Sequence, residues 1–76
     1  MLYGGTFMDI VHNLKSIRKE RGLSQAQVAA ALNTTQQQYS KYEKGLHELP
    51  ASRIIVLCKL FDVSADWLLG LTEQAR

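Results

Sequence analysis

The sequence predicts an all-α fold, a compact domain of five short helices. Three observations predict it. Apolar residues recur at the three- and four-residue spacing of helices, and no stretch of any length alternates in the period of two that a strand needs. Residues that begin helices (Asp9, Ser24, Thr35, Ser64) stand ahead of the apolar runs. Residues that end them (Gly22, Asn33, Gly45, Gly70) stand behind, which leaves loops of only a few residues.

The chain has 76 residues, enough for one small domain, and 46% of them are hydrophobic, enough for one core. A single proline and the absence of low-complexity runs argue against disorder. No apolar run approaches the ~18–20 residues of a membrane span, and MLYGGTFMDIV lacks the basic start and long apolar stretch of a signal peptide. One cysteine, Cys58, excludes an internal disulfide and a cysteine-based zinc site. Its neighbours Val56, Leu57, Leu60 and Phe61 mark it as a core thiol, and a lone thiol fits a cytoplasmic location. There is no glycine-rich phosphate loop, no metal-ligand cluster and no cysteine–histidine pair, so neither an enzyme nor a cofactor site is expected. His12 and His47 read as lone surface residues, and Lys59 as a snorkelling one.

The net charge of +2 is too small to argue a polyanionic partner, but its distribution is uneven. Lys15, Arg18, Lys19, Arg21, Lys41 and Lys44 face only Glu20 and Glu43 in the same span, while Asp62, Asp66 and Glu73 lie in the last quarter. The first half can therefore present a positive face.

Residues 1–8 fit no helical pattern, Gly4-Gly5 breaking one, and read as a loose or adventitious arm; Tyr3 and Phe7 could also pack on a second copy. The domain proper spans 9–70. Its first helix runs from Asp9, as N-cap, to Arg21, with Ile10, Leu14, Ile17 and the backbone side of Arg21 in one stripe. The second runs from Gln25 to Leu32 behind Ser24, with Val28 and Leu32 inward and Ala29 at a helix crossing. Asn33 takes the turn, since asparagine tolerates a left-handed backbone. The third, Gln36 to Lys44 behind Thr35, turns Tyr39 and Tyr42 inward and Gln36, Gln37, Ser40, Lys41 and Lys44 outward, with Gln38 between. The fourth runs from Pro50, a first-turn residue, to Phe61; Ile54, Leu57, Cys58 and Phe61 form its stripe, and Ile55 and Leu60 widen it. The fifth, Ala65 to Leu69 behind Ser64, carries Trp67 and Leu68. Residues 71–76 read as a polar, frayed tail.

The stretch LKSIRKERGLSQAQVAAALNTTQQQYSKYEKG, followed by LCKLFDVSADWLLG, resembles the Cro/CI-type (XRE) helix-turn-helix family over Ile10 to Gly70. Leu23-Ser24-Gln25, Ala29, Leu32, Ser40, Tyr42-Glu43-Lys44-Gly45 and Val63 to Leu69 fall at the family's positions. Thr34-Thr35-Gln36-Gln37 looks like the lambdoid phage repressors. The resemblance implies a lambda-repressor-like domain whose second and third helices form the DNA-binding motif. Three departures stand out. Asn33 replaces the usual turn glycine, Tyr39 replaces an inner Ile or Val, and the often basic loop after the recognition helix is Leu46-His47-Glu48-Leu49.

Within that frame Gln36 and Gln37 are the expected base readers. A glutamine amide carries a donor beside an acceptor and so matches adenine N6 and N7 in the major groove. Both sit at the recognition helix's N-terminus, the end that usually enters the groove. Lys41, about one turn on, is placed to reach guanine or a phosphate. Gln25, Thr35, Gln38, Ser40 and Lys44 are expected to contact phosphate or support the readers. The resemblance also implies that Gln25 braces Gln36 and that Arg18 pairs with Glu43 to set the recognition helix's angle. The expected function is a sequence-specific double-stranded DNA-binding regulator, a repressor occupying a pseudo-palindromic operator as a homodimer. Trp67, Leu68 and Leu71 form a possible dimer patch, with Trp67 equally suited to plain core. The rival is an antitoxin or other protein-interaction module on the same fold, with a partner such as a toxin and no membrane role.

Overall fold

Short polar side chains set where the helices begin. In the computed structural model, which describes residues 7–75 and their side chains from Asp9 on, five helices follow one another: α1 Phe7–Glu20, α2 Gln25–Ala31, α3 Gln36–Glu43, α4 Ala51–Phe61 and α5 Ala65–Leu68. Ser24 Oγ accepts the Gln27 N–H at 3.0 Å while Gln27 Oε1 accepts the Ser24 N–H at 2.8 Å, a reciprocal box at the start of α2. Thr35 Oγ1 accepts the Gln38 N–H at 3.1 Å, and Ser64 Oγ accepts the Trp67 N–H at 3.0 Å. Each such cap contributes ~1 kcal/mol.

Two starts differ from expectation. α1 begins at Phe7, so Asp9 lies inside its first turn rather than capping it; no glycine or proline separates Phe7 from Asp9, and a carboxylate in the first turn still complements the helix dipole. Residues 1–6 of the expected arm lie outside the described residues. Pro50 is the N-cap of α4 and makes no side-chain cap bond, the helix starting at Ala51.

The ends are made by left-handed residues. Asn33 and Asp62 both have φ 58, a conformation open to their short polar side chains. At Gly70 (φ +80) space adds to the requirement, because a Cβ there would stand 2.7 Å from Asp9 Cβ. The end of α5 thus closes directly on the start of α1.

Leu14 and Ile17 of α1, Val28 and Ala29 of α2, Tyr39 and Tyr42 of α3, and Leu57 and Phe61 of α4 meet in one core. Four sequence expectations change here. Arg21 is exposed and follows α1; its Nε and Nη2 donate to the Phe61 carbonyl at 3.1 and 2.9 Å, tying the end of α1 to the end of α4. Ile55 and Leu60 are 56% and 39% exposed, lying beyond the width of the stripe that α4 turns inward. Leu68 is fully buried, so it belongs to the core and not to a dimer patch. The tail does not simply run off: Ala75 packs against the core, and its carbonyl accepts the N–H of Ser64, a group with no helical partner of its own. Cys58 is half-buried against the core, and burial pushes its thiol up. Among the described residues no helix is long and apolar enough to cross a membrane.

Candidate nucleic-acid interface

The site is built outward from Glu43, a buried carboxylate on the inner side of α3. Arg18 of α1 donates to it through Nε (to Oε2, 2.6 Å) and Nη2 (to Oε1, 3.1 Å). Gln25 Nε2 donates to Oε1 at 3.0 Å, and the Tyr39 hydroxyl donates to Oε2 at 2.5 Å. Each carboxylate oxygen therefore receives two donors. Burial alone would raise the Glu43 carboxyl, but the bonds from Arg18, Tyr39 and Gln25 outweigh it and hold the group below its ordinary value. The same carboxylate raises Arg18, chiefly through their hydrogen bond. Burial, then the bond to Glu43, pushes the Tyr39 phenol up. Arg18 Nη1 also donates to the Leu23 carbonyl at 2.9 Å. Three helices and the turn before α2 are thus fastened at one anion.

On the side facing α4, Tyr42 is held by Arg53, whose Nη1 donates to its hydroxyl at 2.6 Å and whose guanidinium lies 5.8 Å from the ring centroid. The Tyr39 and Tyr42 rings pack edge to face, 6.4 Å apart. With both flanks held, α3 has little freedom to roll. Its tie to α2 is local: the Thr34 N–H donates to the Ala29 carbonyl at 3.0 Å across the turn.

What this scaffold presents is a polar face. Gln36, Gln37, Lys41 and Lys44 are exposed and Ser40 is half-buried. Together with Gln25 and Leu46 they line one open depression of about 500 Å³. Among the described residues lining it none is acidic, since the one carboxylate of α3 is turned inward.

The other expected site residues are placed differently. Thr35 is exposed, but its hydroxyl is engaged in starting α3. Gln38 is half-buried and turns to the following loop, its Nε2 lying 3.2 Å from His47 Nδ1. Gln25 lines the depression with Gln36, and its amide Nε2 donates to Glu43, a charge-assisted bond, with no hydrogen bond joining Gln25 to Gln36 here.

Sequence reading missed three contributors. Tyr39 appeared only as a large ring to be housed, whereas its hydroxyl completes the Glu43 cluster. Arg53 carried no signal, because its partner lies eleven positions away in another helix. Leu46 stands in sequence only as part of a loop without lysine or arginine; its place just past a helix-ending glycine is the available clue that it borders the polar depression.

Two helices joined by a tight turn, the second anchored on its inner side and open on its polar outer side, define a helix-turn-helix module. The helix-turn-helix family model matches residues 14–68, and the chain belongs to that family, in its Cro/CI-type (XRE) branch. It is 33% identical over 61 residues to the uncharacterized HTH-type transcriptional regulator YobD of Bacillus subtilis, covering 80% of this chain and 54% of that protein. It is 30% identical over 69 residues to the HTH-type transcriptional regulator ImmR of the same organism, covering 91% of this chain and 54% of ImmR. A crystal structure of a transcriptional regulator from Listeria innocua superposes with a TM-score of 0.78 at 28% identity, covering 88% of this chain and 63% of that one. The chain spans about half the length of the curated relatives it matches.

Proposed function

We propose that this domain binds double-stranded DNA sequence-selectively and regulates transcription as a repressor, occupying a pseudo-palindromic operator as a homodimer. The observation that carries the reading is the open depression in which Gln36, Gln37, Lys41 and Lys44 stand exposed together on a helix whose inner side is held by the Arg18–Glu43 pair. A rigid helix suits the ~12 Å major groove. Gln36 and Gln37 choose bases there through bidentate amide contacts to adenine. Lys41 reaches guanine or a phosphate, while Lys44 and Ser40 hold the strand. Gln25 supports from α2, with its amide orientation imposed by Glu43. Thr35 and Gln38 support indirectly, through the start of α3 and the loop after it. Two copies set ~34 Å apart would meet successive turns of one face of the duplex. Such a role places the protein in the cytoplasm.

A protein-partner role, as in an antitoxin, is the second reading. It is favoured by the loop Leu46 to Leu49, which has no lysine or arginine, and by the exposure of Ile55, Val56 and Leu60 on α4. Binding to random duplex across a salt series separates the two. A steep fall in affinity with salt marks release of counterions from phosphate and supports the DNA reading; a flat response favours the protein partner. Selection of bound sequences from a random DNA pool, repeated with Gln36→Ala and Gln37→Ala, then tests the readers. Each change should relax preference at its own base by ~1–3 kcal/mol, and specificity that survives both would remove the assignment.

A further inference from the structure

Leu46 is the most exposed large apolar side chain among the described residues, at 65%, and it borders the depression that holds Gln36, Gln37 and Lys41. The exposed apolar residues of α4 do not line that depression. Nor is Leu46 a loose loop tip. Gly45 adopts φ 75, the Gly45 N–H donates to the Tyr42 carbonyl at 3.2 Å, and the Leu46 N–H donates to the Lys41 carbonyl at 2.9 Å. This is the paired-bond ending of a helix, which ties the backbone of Leu46 to the last turn of α3. An apolar side chain is thereby carried into water from a backbone tied to α3, beside the polar side chains of the depression.

Within the major groove every base pair offers donors and acceptors, but the one apolar group on its edges is the 5-methyl of thymine. We propose that Leu46 reads a thymine through that methyl, a role that rests on the DNA-binding reading above. Lys41 and Lys44 on the same surface attract the duplex, and the amides choose hydrogen-bonding edges. Leu46 adds selection for a group that no amide or ammonium can recognise. The loop from Leu46 to Leu49 has no lysine or arginine to offer phosphate, and of its residues only the apolar Leu46 lines the depression.

The test uses the whole chain and the duplex it selects from a random pool. Each thymine is replaced in turn by deoxyuridine, which lacks the methyl, and binding of the parent and of Leu46→Ala is measured on every duplex. At one thymine per half-site the parent should lose about fourfold, the worth of one buried methyl. Leu46→Ala should bind the thymine duplex at least about fourfold more weakly and be insensitive to uracil at that position. Its salt dependence should match the parent's, because no phosphate contact is removed. Additive effects of the two changes at every thymine, or an altered salt dependence, overturn the assignment. A parent that selects no sequence at all would instead remove the DNA reading itself, and the role of Leu46 with it, so the two failures are distinct.

Discussion

Arg18 and Glu43, 25 positions apart, meet through two hydrogen bonds with their side chains only 12% and 1% exposed. The pair is the fastening between α1 and the helix that carries the polar face. Because it is buried, its two partners are not separately dispensable: removing one leaves the other as an uncompensated charge. Arg18→Ala is expected to cost ~3–5 kcal/mol of stability in denaturant melting. A loss below ~1 kcal/mol would mean that the pair behaves as an exposed one and does not hold α3.

Acid should weaken the same fastening. The Glu43 carboxyl lies below its ordinary 4.5 in the folded chain, so the unfolded chain takes up its proton first as pH falls. Its stabilising contribution is therefore complete above 4.5 and disappears as pH drops below that value through the folded one. Stability measured against pH should fall more steeply into acid for the parent than for Glu43→Gln, and parallel curves would exclude Glu43 as the titrating group.

Tyr39→Phe isolates the hydroxyl. The ring still fills the core, while a bond to an ionised acceptor is lost, a change worth ~1.5–3 kcal/mol. The alkaline limb carries a second signature. The phenol is raised above its ordinary 10.0, so its contribution is present below that pH and fades as pH rises above it. Melting of the parent above pH 10.0 should show this loss, and Tyr39→Phe should lack it.

Lys44→Ala should weaken DNA binding about equally on all sequences and reduce the slope of log affinity against log salt by about one, as expected for one lost phosphate contact. Lys41→Ala should do the same if it meets phosphate, and should also relax one base preference if it meets guanine. Titrations of selected and random duplex with each variant give both quantities. An unchanged slope in both variants would remove the lysines from the interface.

Gly70→Ala combines a left-handed backbone with a methyl 2.7 Å from Asp9 Cβ. The backbone alone costs ~1–2 kcal/mol for a residue with a Cβ, and the clash adds to it by parting α5 from α1. Melting should show a loss larger than that of Gly22→Ala, where the left-handed backbone is shared (φ 71) but nothing stands within 4 Å. Equal losses would mean that the contact with Asp9 yields freely.

Much of this fold was legible because its determinants are local. Ser24, Thr35 and Ser64 cap helices within three residues, and Asn33, Gly45 and Gly70 end them by their own backbone preferences, so the residues themselves name the boundaries. The outward set Gln36, Gln37, Ser40, Lys41 and Lys44 was legible for the same reason, since helical spacing alone sorts them from Tyr39 and Tyr42. Reading failed where neighbours in space are distant in sequence. Ile55, Leu60 and Leu68 are equally apolar on paper, yet only Leu68 is buried, which depends on where α4 and α5 meet the other helices.

By itself, then, the order of residues determined five helices, their limits to within a few positions, and which side of α3 is polar, because capping, turn and periodicity effects act over three or four residues. Tertiary structure alone decided that Gln25 gives its amide to Glu43 and not to Gln36, that Arg53 holds Tyr42, and that Leu46 joins the polar depression. A hydrogen bond or a shared concavity exists only between groups brought within a few ångströms, and that approach is set by how whole helices pack.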